Sequence, residues 1–370
     1  MQQLVLRPWR CSSCIITTTY PEVRRHSGVI KKKLLSPCPI THRSNSTHSS
    51  NKNHFACVRS ALSAGPIPYE KGWAWQHVLL NRRLNYMRMQ EKLETVSSDG
   101  KHVEQEDKDW ILMFEHQPVY TLGRGATEDY LTFLNNEPDG GLEKRKRLDR
   151  KYRGEDASRL NIDRFQQHTK SGSTTDIATS EQEEVDELSN QSMCKSQPVL
   201  SPNGSPIYRI ERGGEVTYHG PGQLVMYPLL NLKHPNYQQD LHWYLRQIEE
   251  VIIQTLLHFD IKSNRDDINT GVWVGQNKIA AVGVSATKWI TTHGLALNVS
   301  PNLEHFDKDI ITPCGIEERG VTSISEVLRG ASSSSSSDLC PPSLNEVADV
   351  ALKCFGEVFD VDVTEGCAIR

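Results

Sequence analysis

Arg212-Gly213-Gly214-Glu215-Val216-Thr217-Tyr218-His219-Gly220-Pro221-Gly222-Gln223 is a glycine-rich run that opens directly into the apolar stretch Gln223 to Leu230. Its glycines remove side chains where a ligand or its acyl chain can pass close to backbone. The order of parts is loop, then strand. A dinucleotide site needs strand, then G-x-G-x-x-G, then helix, and a Walker phosphate loop is also missing. Downstream, Leu241, Leu245, Ile248, Ile252, Leu256 and Phe259 recur at helical spacing and predict a helix over about 240–259. Gly271 to Gly275 and Lys278 to Ser285 read as a β-hairpin with Gln276 and Asn277 near its turn. Thr292 to Val299 reads as another strand.

Upstream, Trp75, Val78, Leu79, Tyr86, Met89 and Leu93 predict an amphipathic helix over about 74–94, ended by Ser97-Ser98-Asp99-Gly100. Trp110 to Phe114 is a continuous apolar run suited to a buried strand, and Val119 to Leu122 is a second strand. Leu344, Val347, Ala351, Cys354, Phe355 and Val358 mark a C-terminal helix. This mixture of strands, helices and a hairpin predicts an α/β (α+β) domain around a mixed sheet.

The chain has 370 residues and a formal net charge of -4, with a mean hydropathy of -0.52. That charge gives no reason to expect nucleic acid or a membrane surface as partner. No stretch reaches the roughly 18 apolar residues of a membrane span. The first sixty residues stand apart. Arg7, Arg10, Arg24, Arg25, Lys31, Lys32, Lys33, Arg43, Lys52 and Arg59 face one acid, Glu22, and the middle is rich in Ser and Thr. That composition predicts a disordered organelle transit peptide over 1–60, with Val58-Arg59-Ser60-Ala61 as a processing neighbourhood. Residues 135–206 carry the basic run Lys144 to Arg147 and the acidic run Glu181 to Glu187, with few apolar residues, and read as a disordered insertion into a catalytic domain spanning 73–330. Residues 331–342 are a Ser-rich low-complexity insert, and 343–370 return as the helix and tail of the same domain.

The cysteines, among them Cys57, Cys194, Cys340, Cys354 and Cys367, show no framework spacing and indicate free thiols. Cys314 differs. It sits in Ile311-Thr312-Pro313-Cys314-Gly315-Ile316, where Pro313 and Gly315 suggest a turn that exposes the sulfur and offers backbone N–H groups to an oxyanion. A free thiol titrates near about 8.5, so it needs a neighbouring cation or base to act as a nucleophile at neutral pH. Lys278 leads the apolar strand Ile279-Ala280-Ala281-Val282-Gly283 and is the candidate for that role, or else a strand-end lysine reaching solvent. His219 and His293 lack metal-ligand spacing and point to hydrogen-bonding roles.

The run Arg212 to Gln223, Lys278-Ile279-Ala280, His293-Gly294-Leu295-Ala296-Leu297-Asn298-Val299 and Pro313-Cys314-Gly315 together resemble the lipoyl(octanoyl) transferase family. Glu115 to Arg124 resembles that family's upstream segment, and the likeness covers most of 73–330. Met226 to Leu232 and Asp240 to Arg246 resemble the plant plastid form more than the mitochondrial one.

The resemblance implies a biotin/lipoate protein ligase-like fold, with a mixed sheet flanked by helices and a smaller second sheet. It implies transfer of an octanoyl group from octanoyl-acyl carrier protein to a lysine ε-amine. The acceptors would be lipoyl domains of 2-oxoacid dehydrogenase E2 subunits and of the glycine cleavage H protein type. It puts the acyl-thioester nucleophile at Cys314 and the activating lysine at Lys278. It puts acyl binding at Arg212, Gly213, Gly214, Glu215, Val216, Thr217, Tyr218, His219, Ala281, Val282, Gly283, Gly294, Leu295 and Ala296. A thioester is already activated, so no cofactor, ATP or metal is called for. It also implies the plastid stroma, with the mitochondrial matrix as the alternative. An ATP-dependent lipoate or biotin ligase on the same fold, and a non-catalytic acyl-carrier-binding module, are the competing readings.

Overall fold

The computed structural model describes residues 54–94, 108–148, 181–192, 198–313, 319–331, 341–366 and 369. The chain begins its fold with β1 (Phe55–Ser60), then α1 (Tyr69–Glu94), β2 (Asp109–Phe114) and β3 (Val119–Leu122). Helices α2 (Leu142–Leu148) and α3 (Glu181–Ser192) follow, then β4 (Val199–Leu200), β5 (Pro206–Arg209), β6 (Val216–His219) and β7 (Gln223–Leu229). Next come α4 (Leu241–His258), β8 (Asn264–Arg265), β9 (Val272–Val274), β10 (Asn277–Thr287) and β11 (Ile290–Asn298). The last elements are β12 (Gly320–Val321), α5 (Ile324–Ala331), α6 (Leu344–Phe359) and β13 (Asp362–Glu365).

The large sheet runs β13-β1-β2-β7-β11-β10-β9-β8, with β12 paired beside β10. It is mixed: β1 is parallel to both neighbours, whereas β2, β7, β11 and β10 pair antiparallel. The smaller sheet is β4-β5-β3-β6. β2 and β7 lie in the middle of the large sheet, and their near-continuous apolar runs are covered on both faces.

Alternation along β7 divides the core. Leu224 and Met226 face α4 and α6, while Val225, Tyr227 and Leu229 face α1. α4 starts where Asp240 accepts from the His242 N–H at 2.7 Å, and it buries Tyr244, Ile248, Val251, Ile252 and Leu256. α6 carries a reciprocal Ser343–Glu346 capping box and ends on Asp360 in the left-handed region.

Two expectations need correction. Residues 55–60 are not part of a disordered leader: β1 pairs with β2 and β13 inside the large sheet, so Val58-Arg59-Ser60-Ala61 lies within the fold. Arg59 read as one more basic tail residue, but its guanidinium lies 4.2 Å from the Trp110 ring centroid and pairs with Glu181. The second correction concerns 135–206, whose described parts are ordered. In α2, Arg145 donates to Asp129 at 2.7 Å and to Asn135 at 2.8 Å. α3 packs on α1 through the buried Val185 and Leu188, while Arg82 donates to Glu184 at 2.7 Å. Burying those two side chains contributes about 1.5–3 kcal/mol each, and the ion pairs of Arg59 with Glu181 and Arg82 with Glu184 add to what offsets the helix's ordering entropy. Residues 149–180 and 193–197, together with Ser97 to Gly100 and Ser332 to Ser337, lie outside the described residues.

Candidate active site

The β10–β11 hairpin is the floor on which the site is built. Its register sets Gly283 opposite Gly294 and Ala281 opposite Ala296. The glycine-rich loop docks on it, with the Gly213 N–H donating to the Val284 carbonyl at 2.9 Å. Both hairpin glycines are required by close approach. A Cβ on Gly283 would stand 2.9 Å from the Gly213 carbonyl oxygen, and one on Gly294 2.4 Å from that of Met226. Arg212 holds the loop closed: its guanidinium donates to the Thr121 hydroxyl at 2.9 Å and to the Glu215 carbonyl at 3.0 Å. Arg212 is thus a clamp on the loop.

Between loop and hairpin lies a cavity of about 300 Å³. Arg212 through Thr217 and His219, then Ala281 to Gly283, then Gly294 to Ala296 all line it. Tyr218 does not. It faces the other side of β6, stacked on His305 at 4.3 Å and tilted against Tyr120 at 5.2 Å, because successive strand residues point to opposite faces. Lys278 also lines the cavity and is 6% exposed, so the strand-end reading is overturned. Its Nζ donates to the Thr270 carbonyl at 3.0 Å and sits 4.8 Å from the Trp273 ring centroid.

Cys314 and Gly315 lie outside the described residues. Pro313, immediately before Cys314, lines a small recess together with Lys278, Thr217 and Ala296. The chain on either side is anchored. Thr312 N–H donates to the Tyr130 carbonyl at 2.8 Å, and β12 pairs with Asn277 and Lys278.

Several cavity residues carried no signal of their own in the sequence. Tyr69 and Tyr227 line the cavity from α1 and β7. Tyr69 precedes the periodic stretch that announces the helix, and Tyr227 reads simply as a strand aromatic. Glu211, one residue before the glycine run, accepts from His293 Nε2 at 2.8 Å and from His77 Nε2 at 2.9 Å. Burial would push its carboxyl up, but the two imidazoles outweigh this and hold it well below the usual range. His293 is lowered by burial against the opposing pull of Glu211. It also holds a left-handed φ of 60°, with its N–H donating to Gln76 at 2.6 Å. His219 is pushed well down by burial, and its Nδ1–H donates to Gln223 at 2.7 Å. Burial brings the nearby His116 down to about 4. His219 and His293 therefore act as hydrogen-bonding groups, and His219 is neutral at neutral pH.

A loop-over-hairpin cleft with a buried lysine and buried imidazoles suits acyl transfer. The Lipoyl protein ligase A/B catalytic domain family matches residues 181–356. A chloroplastic octanoyltransferase of Arabidopsis thaliana is 36% identical over 303 residues, 80% of this chain and 76% of that protein. An octanoyltransferase of Nostoc punctiforme is 34% identical over 301 residues, 81% of this chain and 88% of that one. Among solved structures, a lipoate-protein ligase A bound with ATP aligns at a TM-score of 0.46 and 14% identity, over 86% of this chain and 89% of that one. The chain belongs to the octanoyltransferase family and is an acyltransferase of protein lipoylation.

Proposed function

We propose that the protein moves an octanoyl group from octanoyl-acyl carrier protein to the ε-amine of a lysine on a lipoyl domain, through a thioester on Cys314. The observation that supports this most is the placement of Lys278: it is buried in the cavity wall and shares a recess with Pro313, the residue before Cys314.

The steps follow from that pairing. The Cys314 thiolate attacks the thioester carbonyl, and the C–S bond to the carrier breaks. The carrier sulfur leaves and takes up a proton. The acceptor amine then attacks the Cys314 thioester, expels the thiolate, and passes its surplus proton to a base in the site. Lys278 stands as the ammonium beside the thiolate, gives its proton to the departing carrier sulfur, and as the resulting neutral amine takes the surplus proton of the acceptor. Ala281, Val282, Leu295 and Ala296 offer an apolar bed for the acyl chain.

Incubating the protein with octanoyl carrier protein and an isolated lipoyl domain should yield one octanoyl amide per domain with no nucleotide added. Transfer that requires ATP and free octanoate would overturn the reading in favour of a ligase. We further infer a plastid location, supported by the chloroplastic relative and by the basic, hydroxyl-rich residues 1–53. A fluorescent fusion of residues 1–53 should enter plastids, and import into mitochondria alone would refute it.

A further inference from the structure

Trp273 lies across from Lys278 in the β9–β10 pair, and its ring takes two cations. The Lys278 Nζ is 4.8 Å from the ring centroid, and the Arg319 guanidinium carbon is 4.6 Å from it. Arg319 is fixed in turn by Asp266, to which it donates at 2.5 Å. Asp266 is itself tied into the cavity rim, accepting from the N–H groups of Ile268 at 2.9 Å and Asn269 at 2.8 Å. Those two backbone bonds, followed by Arg319, lower its carboxyl to about 2, so it stays ionised at any working pH.

The same rim returns to the lysine. The Thr270 carbonyl accepts from Lys278 Nζ at 3.0 Å, and the Trp273 indole N–H donates to the Asn269 carbonyl at 3.4 Å. Immediately after Arg319, β12 runs parallel to Asn277 and Lys278, and the Thr322 N–H donates to the Lys278 carbonyl at 3.0 Å. Lys278 is therefore held by its side chain and by its backbone, and Arg319 stands where the two supports meet.

We propose that Arg319 and Trp273 are positioning residues that aim the Lys278 ammonium, with Arg319 coupling it to the chain segment that follows Cys314. Asp266 neutralises the second cation, so Trp273 can carry both without leaving an unpaired charge beside Lys278. This rests on the reading of Lys278 as the group that activates Cys314.

The test uses the full chain. The rate of Cys314 alkylation by iodoacetamide is followed by mass spectrometry across pH, alongside kcat and KM for octanoyl carrier protein. Arg319→Ala should slow alkylation at neutral pH about tenfold, shift its pH midpoint upward, and lower kcat more than KM. Arg319→Lys, which keeps a cation for Asp266 and for the ring, should recover most of the rate. Trp273→Leu should behave as Arg319→Ala does. In a Lys278→Ala background, Arg319→Ala should change the alkylation profile no further, because both act through one ammonium. An unaltered profile in Arg319→Ala while Lys278→Ala shifts its own would overturn the proposal alone. So would an equal further fall in both backgrounds, which marks a purely structural residue. An unaltered profile in Lys278→Ala itself removes the premise and the proposal together.

Discussion

Replacing Lys278 by alanine should slow alkylation of Cys314 at neutral pH by about ten- to thirtyfold, because one close opposite charge lowers a pKa by about 1–3 units and a free thiol is still a few per cent thiolate at neutral pH. The cause is specific. On the proposed mechanism the variant's thiol has no ammonium to stabilise its anion, so it titrates near its ordinary value of about 8.5 and the thiolate fraction at neutral pH falls. Transfer of the octanoyl group should fall further, by about 10²–10⁴, because the proposed mechanism also has Lys278 relay a proton. Raising the pH should restore alkylation, since hydroxide then supplies the thiolate. It should not restore transfer to the same degree. The Lys278 side chain also packs on Trp273, so melting temperatures of the variant and of Lys278→Arg separate lost chemistry from lost packing. A Lys278→Ala protein with normal alkylation at every pH would remove Lys278 from the mechanism.

The second large effect is on stability in acid. Burial brings His116 down to about 4 from an ordinary 6.5. In that window the unfolded chain binds a proton that the folded chain refuses. Stability is therefore fully present above about 6.5, falls as pH drops toward about 4, and levels off below. A gap of about 2.5 pKa units corresponds to about 3 kcal/mol. His219 and His293 are lowered in the same sense, so their losses add on the acid side. His116→Gln should flatten the acid limb by up to one proton, as read from denaturant midpoints between pH 7 and pH 4. An unchanged slope would show that the His116 ring titrates normally in the folded protein.

How much of this was legible in the sequence depended on whether a signal was local. The helix over 240–259 and the hairpin over 271–285 emerge almost as predicted, at Leu241–His258 and at Val272–Val274 with Asn277–Thr287. Their apolar periodicity runs within a single segment. The glycine loop was legible because glycines in a row mark a close backbone approach, whereas a lysine heading an apolar strand read as well as a strand-end side chain reaching solvent, and only the fold buries Lys278 in the cavity wall.

The parts that were not legible depend on distant chain. β1 is six residues whose partners in β13 lie some three hundred residues away, and its Arg59 disguised it as more basic tail. α3 sets eight acidic or amide residues against only two apolar ones, Val185 and Leu188, and only its packing on α1 shows that those two are buried. The first turn of α1 is set by contact as well. A Cβ on Gly72 would stand 2.5 Å from the His116 ring, a restraint that no local pattern records.

The central claim is the covalent intermediate on Cys314. Mass spectrometry of the protein after incubation with octanoyl carrier protein alone tests it most directly. The account predicts one added octanoyl group, carried on the peptide that contains Cys314, released when a lipoyl domain is supplied, and absent together with all transfer in Cys314→Ala. A Cys314→Ala protein that still transfers octanoyl groups at the normal rate would contradict it.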